Sequence, residues 1–507
     1  MRTQKALKNI VTSVGSYLLL LVLGLVVRRL LLHRFDTELV GYDSLLSNIF
    51  AWIAVADLGA QGSFSYRLYQ AFAADDRDRI SKLLSMYRKF YLSMGAAVGL
   101  VCVVLFFCLP AIFSGKVNFW SYFRLMYILY SITAVGSYLF DYWRALLTAG
   151  QLEYKCVRID TALQVANLVS KALVLWTVRS YLLYLIFNTV FTLIKHIWNA
   201  QIAKKEYSYI KPVPVPWSDF CAEGFTEEIR NLFPIKITTA IYNATDSFLI
   251  TMLIDATANA LYSNYILIGS NVLNGFTRIL LPLQASVADL VYKDTKERIL
   301  SFYKTIKLTC FFAATMILSG FTMVFQNAVA VFFGVRYWLP TGFVLAYAVL
   351  GYITVQSMAS GIFRGCFGEF QTTRHFAIIG AVVNLVASVA LLRVWGVTGA
   401  LLGTIVSSVF GWHDAFLVVE KKLFGRPVWR LWCAEAAYFL LACAEVGLTW
   451  LLLRNIPYSF WNMWILCIGS VLIPTACNIL IFRRTPAFQD ILYRTRLILT
   501  KFVEKKR

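Results

Sequence analysis

Charge is what this chain has least of. Only 15% of its 507 residues are Asp, Glu, Lys or Arg, where a soluble globular chain carries about 25%. Its four histidines stand far apart, and its ten cysteines are scattered without a CxxC pair. No metal-ligand spacing results, and the cysteines read as small apolar packing residues. There is no Gly-rich phosphate loop, because Ser114-Gly115-Lys116-Val117 lacks both the upstream glycine and the Ser/Thr. No Ser/His/Asp or Cys/His set falls in one region. Asp75-Asp76 reads as a solvated turn rather than a metal-binding pair. No segment between apolar runs is long enough for an ATPase or glycosyltransferase fold. These absences argue against an enzyme and against a nucleotide-driven pump, and no cofactor or metal is expected.

What is abundant is apolar sequence, at 59% hydrophobic residues. About fourteen stretches reach the roughly 20 residues a bilayer crossing needs. They lie near 10–32, 43–62, 90–113, 120–142, 156–178 and 181–203. Six more lie near 233–254, 262–283, 306–331, 339–363, 376–394 and 397–419, and two near 432–453 and 460–482. The first is too long for a cleaved signal and is expected to stay as a span. The expected fold is an all-α polytopic membrane protein.

Landmarks of the first half recur in the second. Tyr42 returns as Tyr262, Arg79-Ile80 as Arg298-Ile299, Arg144 as Arg364 and Asn167-Leu168-Val169 as Asn384-Leu385-Val386, at offsets of 217 to 220 residues. A constant offset argues for a duplicated unit, an arrangement common in transporters. Six spans are an even number, so both halves enter the membrane the same way up, as parallel repeats. The expected organisation is an N-lobe over 1–220, a C-lobe over 221–430, and two extra spans with a tail over 431–507. Residues 204–230, with Pro212, Pro214 and Pro216, read as an extended linker with one short surface helix. In the tail, Phe488, Ile491, Leu492, Leu499 and Phe502 form one helical stripe, which suggests an interfacial helix on anionic lipid.

The net charge of +21 does not point to nucleic acid, because the basic residues sit at span ends. They cluster on alternate sides: Lys5 and Lys8, then Arg77 to Lys89, Lys204 to Lys211, Lys293 to Arg298 and Lys421 to Arg430. The opposite loops hold little beyond Lys116, Arg179, Arg336 and Arg454. The positive-inside rule therefore places both termini in the cytoplasm.

A few charges fall inside apolar stretches, where each costs roughly 2.5–3.5 kcal/mol on insertion scales. They are Arg28 and Arg29 in span one, Asp57 in span two, Lys171 in span five, Asp246 in span seven and Arg278 in span eight. Arg28 and Arg29 point about 100° apart, so one can line a cavity while the other reaches the interface; headgroup snorkelling of both is the alternative. The deeper charges suit either an internal ion pair, such as Asp246 with Arg278, or a wet cavity between the halves. In such a cavity Arg28, Arg29, Arg278 and Lys171 would hold a phosphate, and Asp57 and Asp246 would couple or gate. Arg144 and Arg364 recur at the ends of spans four and ten, which suggests a gate or headgroup contact. Small-residue spacings at Gly95/Gly99, Gly361/Gly365 and Gly399/Gly403 suggest close helix approach. Pro282 would kink or end span eight.

The chain resembles the Wzx-type polysaccharide flippases of the multidrug/oligosaccharidyl-lipid/polysaccharide exporter superfamily. The resemblance rests on residues 40–91 with Ala56-Asp57-Leu58-Gly59, on Arg144-Ala145-Leu146-Leu147-Thr148-Ala149-Gly150-Gln151 with Tyr154, on Thr245-Asp246-Ser247, on Tyr262-Ser263-Asn264-Tyr265 and on Gly396-Val397-Thr398-Gly399-Ala400. It implies two six-helix lobes around a cavity plus two extra helices. The implied cargo is an undecaprenyl-pyrophosphate-linked oligosaccharide, moved from the cytoplasmic to the outer leaflet of a bacterial cytoplasmic membrane for surface polysaccharide synthesis. Membrane lipids are implied partners, and a polysaccharide polymerase and glycosyltransferases are candidates. In related lipid II flippases first-helix arginines line the cavity, and Arg28 looks like the corresponding position. A cation-coupled drug exporter on the same scaffold, a lipid II flippase and a non-transporting scaffold for glycan assembly remain competing readings. Without a nucleotide site, an ion gradient, the membrane potential or removal of product outside would drive transport.

Overall fold

The computed structural model describes residues 2–55, 60–115, 117–150, 152–211, 213–225, 245–280, 287, 290, 294–367 and 370–504. These residues are helical throughout, with no strand among them. Nine helices among them are long and apolar enough to cross a membrane. The spans expected near 10–32, 43–62, 156–178 and 262–283 coincide in their described residues with the helices Arg2–Arg34, Thr37–Val55, Glu153–Thr177 and Ala256–Leu280. The span expected at 233–254, Pro282 and Asp57 lie wholly or mostly outside the described residues. The chain divides into two compact units, Met1–Ala260 and Leu261–Arg507.

Unit 1 begins with α1 (Arg2–Arg34), α2 (Thr37–Val55) and α3 (Ala60–Ala73). Asp75 then turns the chain through a left-handed conformation (φ 51°), and Asp76 caps the next helix by accepting from the Arg79 N–H at 2.9 Å. The acidic pair is therefore a helix start: the turn reverses the chain and a carboxylate satisfies an orphan amide. That helix, α4 (Arg77–Ile112), has 36 residues, about 54 Å at 1.5 Å per residue, and so exceeds the roughly 30 Å hydrocarbon core. Next come α5 (Trp120–Phe140), α6 (Tyr142–Ala149), α7 (Glu153–Thr177), α8 (Tyr181–Glu206) and the short α9 (Ser218–Ala222). Residues 245–253 are again helical. Helix α7 packs against α1 and α8, and α5 packs against α2, α4 and α8.

The linker does not float. Lys82 Nζ lies 2.9 Å from Asp219 on α9, Lys89 Nζ donates to the Val215 carbonyl at 2.8 Å, and the Val213 N–H donates to Ser85 Oγ. Beyond α9 the Phe225 ring stacks on Phe64 at 4.0 Å, and the Arg67 guanidinium covers its other side at 4.1 Å.

Unit 2 continues α10 (Ala256–Leu280), whose first turns belong to unit 1, with α11 (Lys296–Phe332), α12 (Thr341–Gln356), α13 (Met358–Phe367), α14 (Phe370–Trp395) and α15 (Val397–Phe416). The last extends through a π-helical stretch to Leu423. Then follow α16 (Val428–Leu453), α17 (Phe460–Phe482) and α18 (Pro486–Glu504). Helix α11 is the hub of this unit, contacting α12, α16, α17 and α18. The tail helix is docked at its start: Phe488 is buried and stacks on Phe312 at 6.0 Å, and Asp490 accepts from Thr305 at 3.0 Å.

The duplication is visible in the elements. The two longest helices, α4 and α11, begin 219 residues apart. Each is followed by a span interrupted at one point, between α5 and α6 at Asp141 and between α12 and α13 at Ser357. Both breaks sit within spans that hydropathy reads as continuous. The small-residue spacings differ in use. A Cβ on Gly399 would lie 2.1 Å from the Leu391 carbonyl oxygen and one on Gly403 2.3 Å from Ser388 Oγ, whereas Gly361 has nothing within 4 Å.

Candidate functional site

A carboxylate that hydropathy hides organises the interior of unit 1. Asp43 falls at the start of the second apolar stretch, where an acid passes for an interfacial residue, yet it is buried. It accepts from the Tyr130 hydroxyl of α5 at 2.8 Å. Two cations lie within its electrostatic reach, Arg28 from α1 and Lys171 from α7. Arg28 is half-buried, and its guanidinium donates to Ser44 Oγ at 3.4 Å and to the Ala260 carbonyl at 3.3 Å. Lys171 is buried; its ammonium donates to Asn188 Oδ1 at 2.7 Å and sits 4.6 Å from the centroid of Tyr184. Asn167, one turn before Lys171, donates to the same Asn188 oxygen at 3.3 Å. Tyr181 and Tyr184 also feel the Asp43 charge.

Helical spacing explains the convergence. Residues 167 and 171 share a face of α7, and 181, 184 and 188 share a face of α8. Two cations and one carboxylate thus lie among phenols and carboxamides inside unit 1. Buried charge is costly, so such a group suits a polar site better than a packing seam.

A second feature adjoins it through Tyr130. A cavity of about 380 Å³ opens between α2, α4, α5, α6 and α8, with Tyr130, Ser47, Asp141, Arg144 and His196 in its walls. At about 30 Å³ per water it holds roughly a dozen waters, enough for solvent or an ion but not for an oligosaccharide. The His196 Nδ1 pairs with Asp141 Oδ1 at 2.5 Å, and both side chains line that cavity. Arg144 forms an ion pair with Asp160 at 2.8 Å, and Asn199 donates to the other oxygen of the same carboxylate at 2.9 Å.

The residues singled out by sequence thus separate. Arg28 and Lys171 both lie within the electrostatic reach of Asp43. Arg144 belongs to the neighbouring cavity. Arg29 is exposed on α1, and Arg278 is exposed near the end of α10. Asp246 is buried at the start of the helical stretch 245–253. Arg364 pairs with buried Asp414 at 2.6 Å. Asp43, Tyr130 and Asn188 went unnoticed. The repeat held a signal for the first, since the offset that pairs Tyr42 with Tyr262 sets Asp43 against Ser263.

Unit 2 holds buried charges of another kind. Lys307 of α11 and Glu435 of α16 lie 3.0 Å apart, both almost wholly buried, and Gln356 of α12 donates to the second carboxylate oxygen at 2.9 Å. Nearby, Asn478 of α17 donates to Glu445 of α16 at 3.1 Å and to Thr315 of α11 at 3.0 Å. Lys307 faces Glu435, whose second oxygen takes a carboxamide, and Asn478 joins Glu445 to the hub helix. This arrangement latches α16 and α17 onto the hub.

No family model matches the sequence, and no curated protein sequence matches it. Solved structures do match its fold. A lipid II flippase, MurJ, in an inward closed conformation aligns at TM-score 0.70 with 14% identity, over 93% of this chain and 98% of that one. An inward-facing multidrug resistance MATE transporter of the MOP superfamily aligns at 0.63 with 12% identity, over 81% and 95%. A MOP superfamily transporter from Pyrococcus furiosus, described by the reverse polarity of its binding pocket, aligns at 0.55 with 11% identity, over 80% and 95%. These neighbours are flippases and transporters rather than enzymes, and the chain shares their fold.

Proposed function

We propose that this chain is a flippase that carries a polyprenyl-pyrophosphate-linked oligosaccharide from the cytoplasmic to the outer leaflet of a bacterial cytoplasmic membrane. The observation that carries the reading is the gathering of Arg28, Lys171 and Asp43 inside unit 1, hydrogen-bonded to Ser44, Asn188 and Tyr130. A sugar headgroup cannot cross hydrocarbon unaided, because each unsatisfied polar group costs several kcal/mol there. A pyrophosphate would bind to the cations of this cluster, and Arg28 can grip it with two N–H groups. The phenols and carboxamides around it suit sugar hydroxyls. In unit 2 a cavity of about 720 Å³ has one wall of Leu318, Val344, Val349, Val446 and Leu466 and another with Gln326, Arg454 and Asn455, a mixed lining that suits the boundary between a lipid tail and a polar group.

The comparisons support a lipid-linked cargo over a soluble drug, since the lipid II flippase covers 93% of this chain and the multidrug transporter 81%. Alternating access, cytoplasmic termini and the polymerase and glycosyltransferases as partners belong to the same reading. In it Arg29 and Arg278 extend the cationic surface, Asp57 and Asp246 serve coupling or gating, and Arg144 and Arg364 act at their ion pairs as gates.

The test is a flipping assay in proteoliposomes with a fluorescent polyprenyl-pyrophosphate glycan. Arg28→Ala and Lys171→Met are expected to lower the rate at least ~tenfold, the loss of one charge-assisted contact, while the protein still inserts. Wild-type flipping by both variants would overturn the cationic mechanism.

A further inference from the structure

A cavity of about 550 Å³ in unit 2 borders the Lys307–Glu435 latch. Four cations stand in its walls: Lys304 and Lys307 from α11, Arg426 from the turn before α16, and Arg430 from the first turn of α16. Lys307 is committed to Glu435. Among the described residues, Lys304, Arg426 and Arg430 form no ion pair. Glu297 on the rim is the one acid in the lining.

The start of α18 completes the wall through Thr485, Pro486 and Ala487. Thr485 accepts from the Phe488 N–H at 3.4 Å, so the positive end of this 19-residue helix faces the same space. Leu300, Leu308 and Phe482 supply an apolar side. Next to Arg430 the exposed Trp429 ring lies 5.9 Å from its guanidinium, and exposed tryptophan beside arginine is the pattern of a membrane–water interface.

We propose that this cavity is a binding site for a phosphate-ester anion, occupied by the headgroup of an anionic phospholipid that ties the tail and the two extra helices to α11. Three cations that form no ion pair among the described residues, a helix N-terminus and apolar side chains line one cavity, the combination that the headgroup of an anionic lipid requires. The site is separate from the Asp43 cluster, so binding is read without transport and survives or fails independently of the flippase reading.

The experiment is native mass spectrometry of the full chain, released from neutral detergent and titrated with phosphatidylglycerol, with phosphatidylcholine as the neutral control and inorganic phosphate and pyrophosphate as soluble competitors. Wild type is expected to retain one phosphatidylglycerol in preference to phosphatidylcholine. The Lys304→Gln/Arg426→Gln/Arg430→Gln variant is expected to weaken that binding by about fivefold per cation removed. Glu297→Gln, an exposed rim change that leaves the fold alone, is expected to tighten it. Equal phosphatidylglycerol affinity in wild type and the triple variant would overturn the site, as would an unchanged Glu297→Gln. Saturation by pyrophosphate with no phosphatidylglycerol retained would overturn the lipid assignment in favour of a soluble phosphate.

Discussion

Lys171 and Ser388 stand at corresponding places in the two repeats, each four residues after an asparagine that ties its helix to the next. In unit 1 Asn167 donates to Asn188; in unit 2 Asn384 donates to Thr404 at 3.1 Å. The fourth residue then decides what the interface becomes. Lys171 reaches Asn188 and the Tyr184 ring, and its charge answers to Asp43. Ser388 instead donates to the Ala400 carbonyl at 3.3 Å, and Gly403 presses so closely on it that no Cβ would fit. Near the start of the second apolar stretch the repeat likewise sets Asp43 against Ser263, at an offset of 220 residues rather than 217. One repeat keeps a buried charged cluster, and the other closes the equivalent seam by small-residue packing. The arginines after the span breaks tell a related story: both keep an acid, but Arg144 takes it from α7 and Arg364 from α15. Where the repeat keeps a cation, as at Arg144 and Arg364, the acid that answers it can come from a different helix, because any neighbouring helix can deliver a carboxylate.

That contrast can be broken most severely by writing Lys171 into the other repeat. Ser388→Lys would force an unpaired charge and extra volume against Gly403, and a loss of more than about 4 kcal/mol is expected, from an uncompensated buried charge plus overpacking. Thermal unfolding in detergent and yield of inserted protein measure it; a normally stable Ser388→Lys would show that the seam is loose. A step smaller, the balanced latch should behave as a structural pair. Lys307→Met alone is expected to cost about 3–5 kcal/mol because Glu435 is left buried and unmatched, whereas Lys307→Met with Glu435→Leu should recover most of that loss. The same unfolding assay checks it, with the double variant no better than the single as the adverse result. The smallest effects separate the glycines. Gly403→Ala should destabilise by about 1–3 kcal/mol through overpacking, and Gly361→Ala should be neutral or stabilising by up to about 1 kcal/mol. Equal effects at the two positions would remove the packing distinction.

Much of the fold was legible in one dimension. Long apolar runs specify membrane helices because a bilayer leaves no other way to satisfy a spanning backbone, and the recurring landmarks exposed the duplication that α4 and α11 display. The site was legible only in part. Arg28 and Lys171 stood out because charge is rare in apolar sequence, but Asp43 and Lys307 sit near the ends of apolar windows, where a charge raises no alarm. The span breaks at Asp141 and Ser357 escaped as well, since hydropathy averaged over about 20 residues is blind to a single turn.

The sequence by itself determined that the chain would be helical, apolar and repeated, because those properties depend on local composition and on spacing along the chain. Tertiary structure alone decided which charges meet. Lys307 finds Glu435 across 128 positions of chain, and Asp43 gathers groups from α1, α5, α7 and α8. Pairing of that kind depends on which helix faces which, a choice made by side-chain packing between helices and written in no single stretch of sequence.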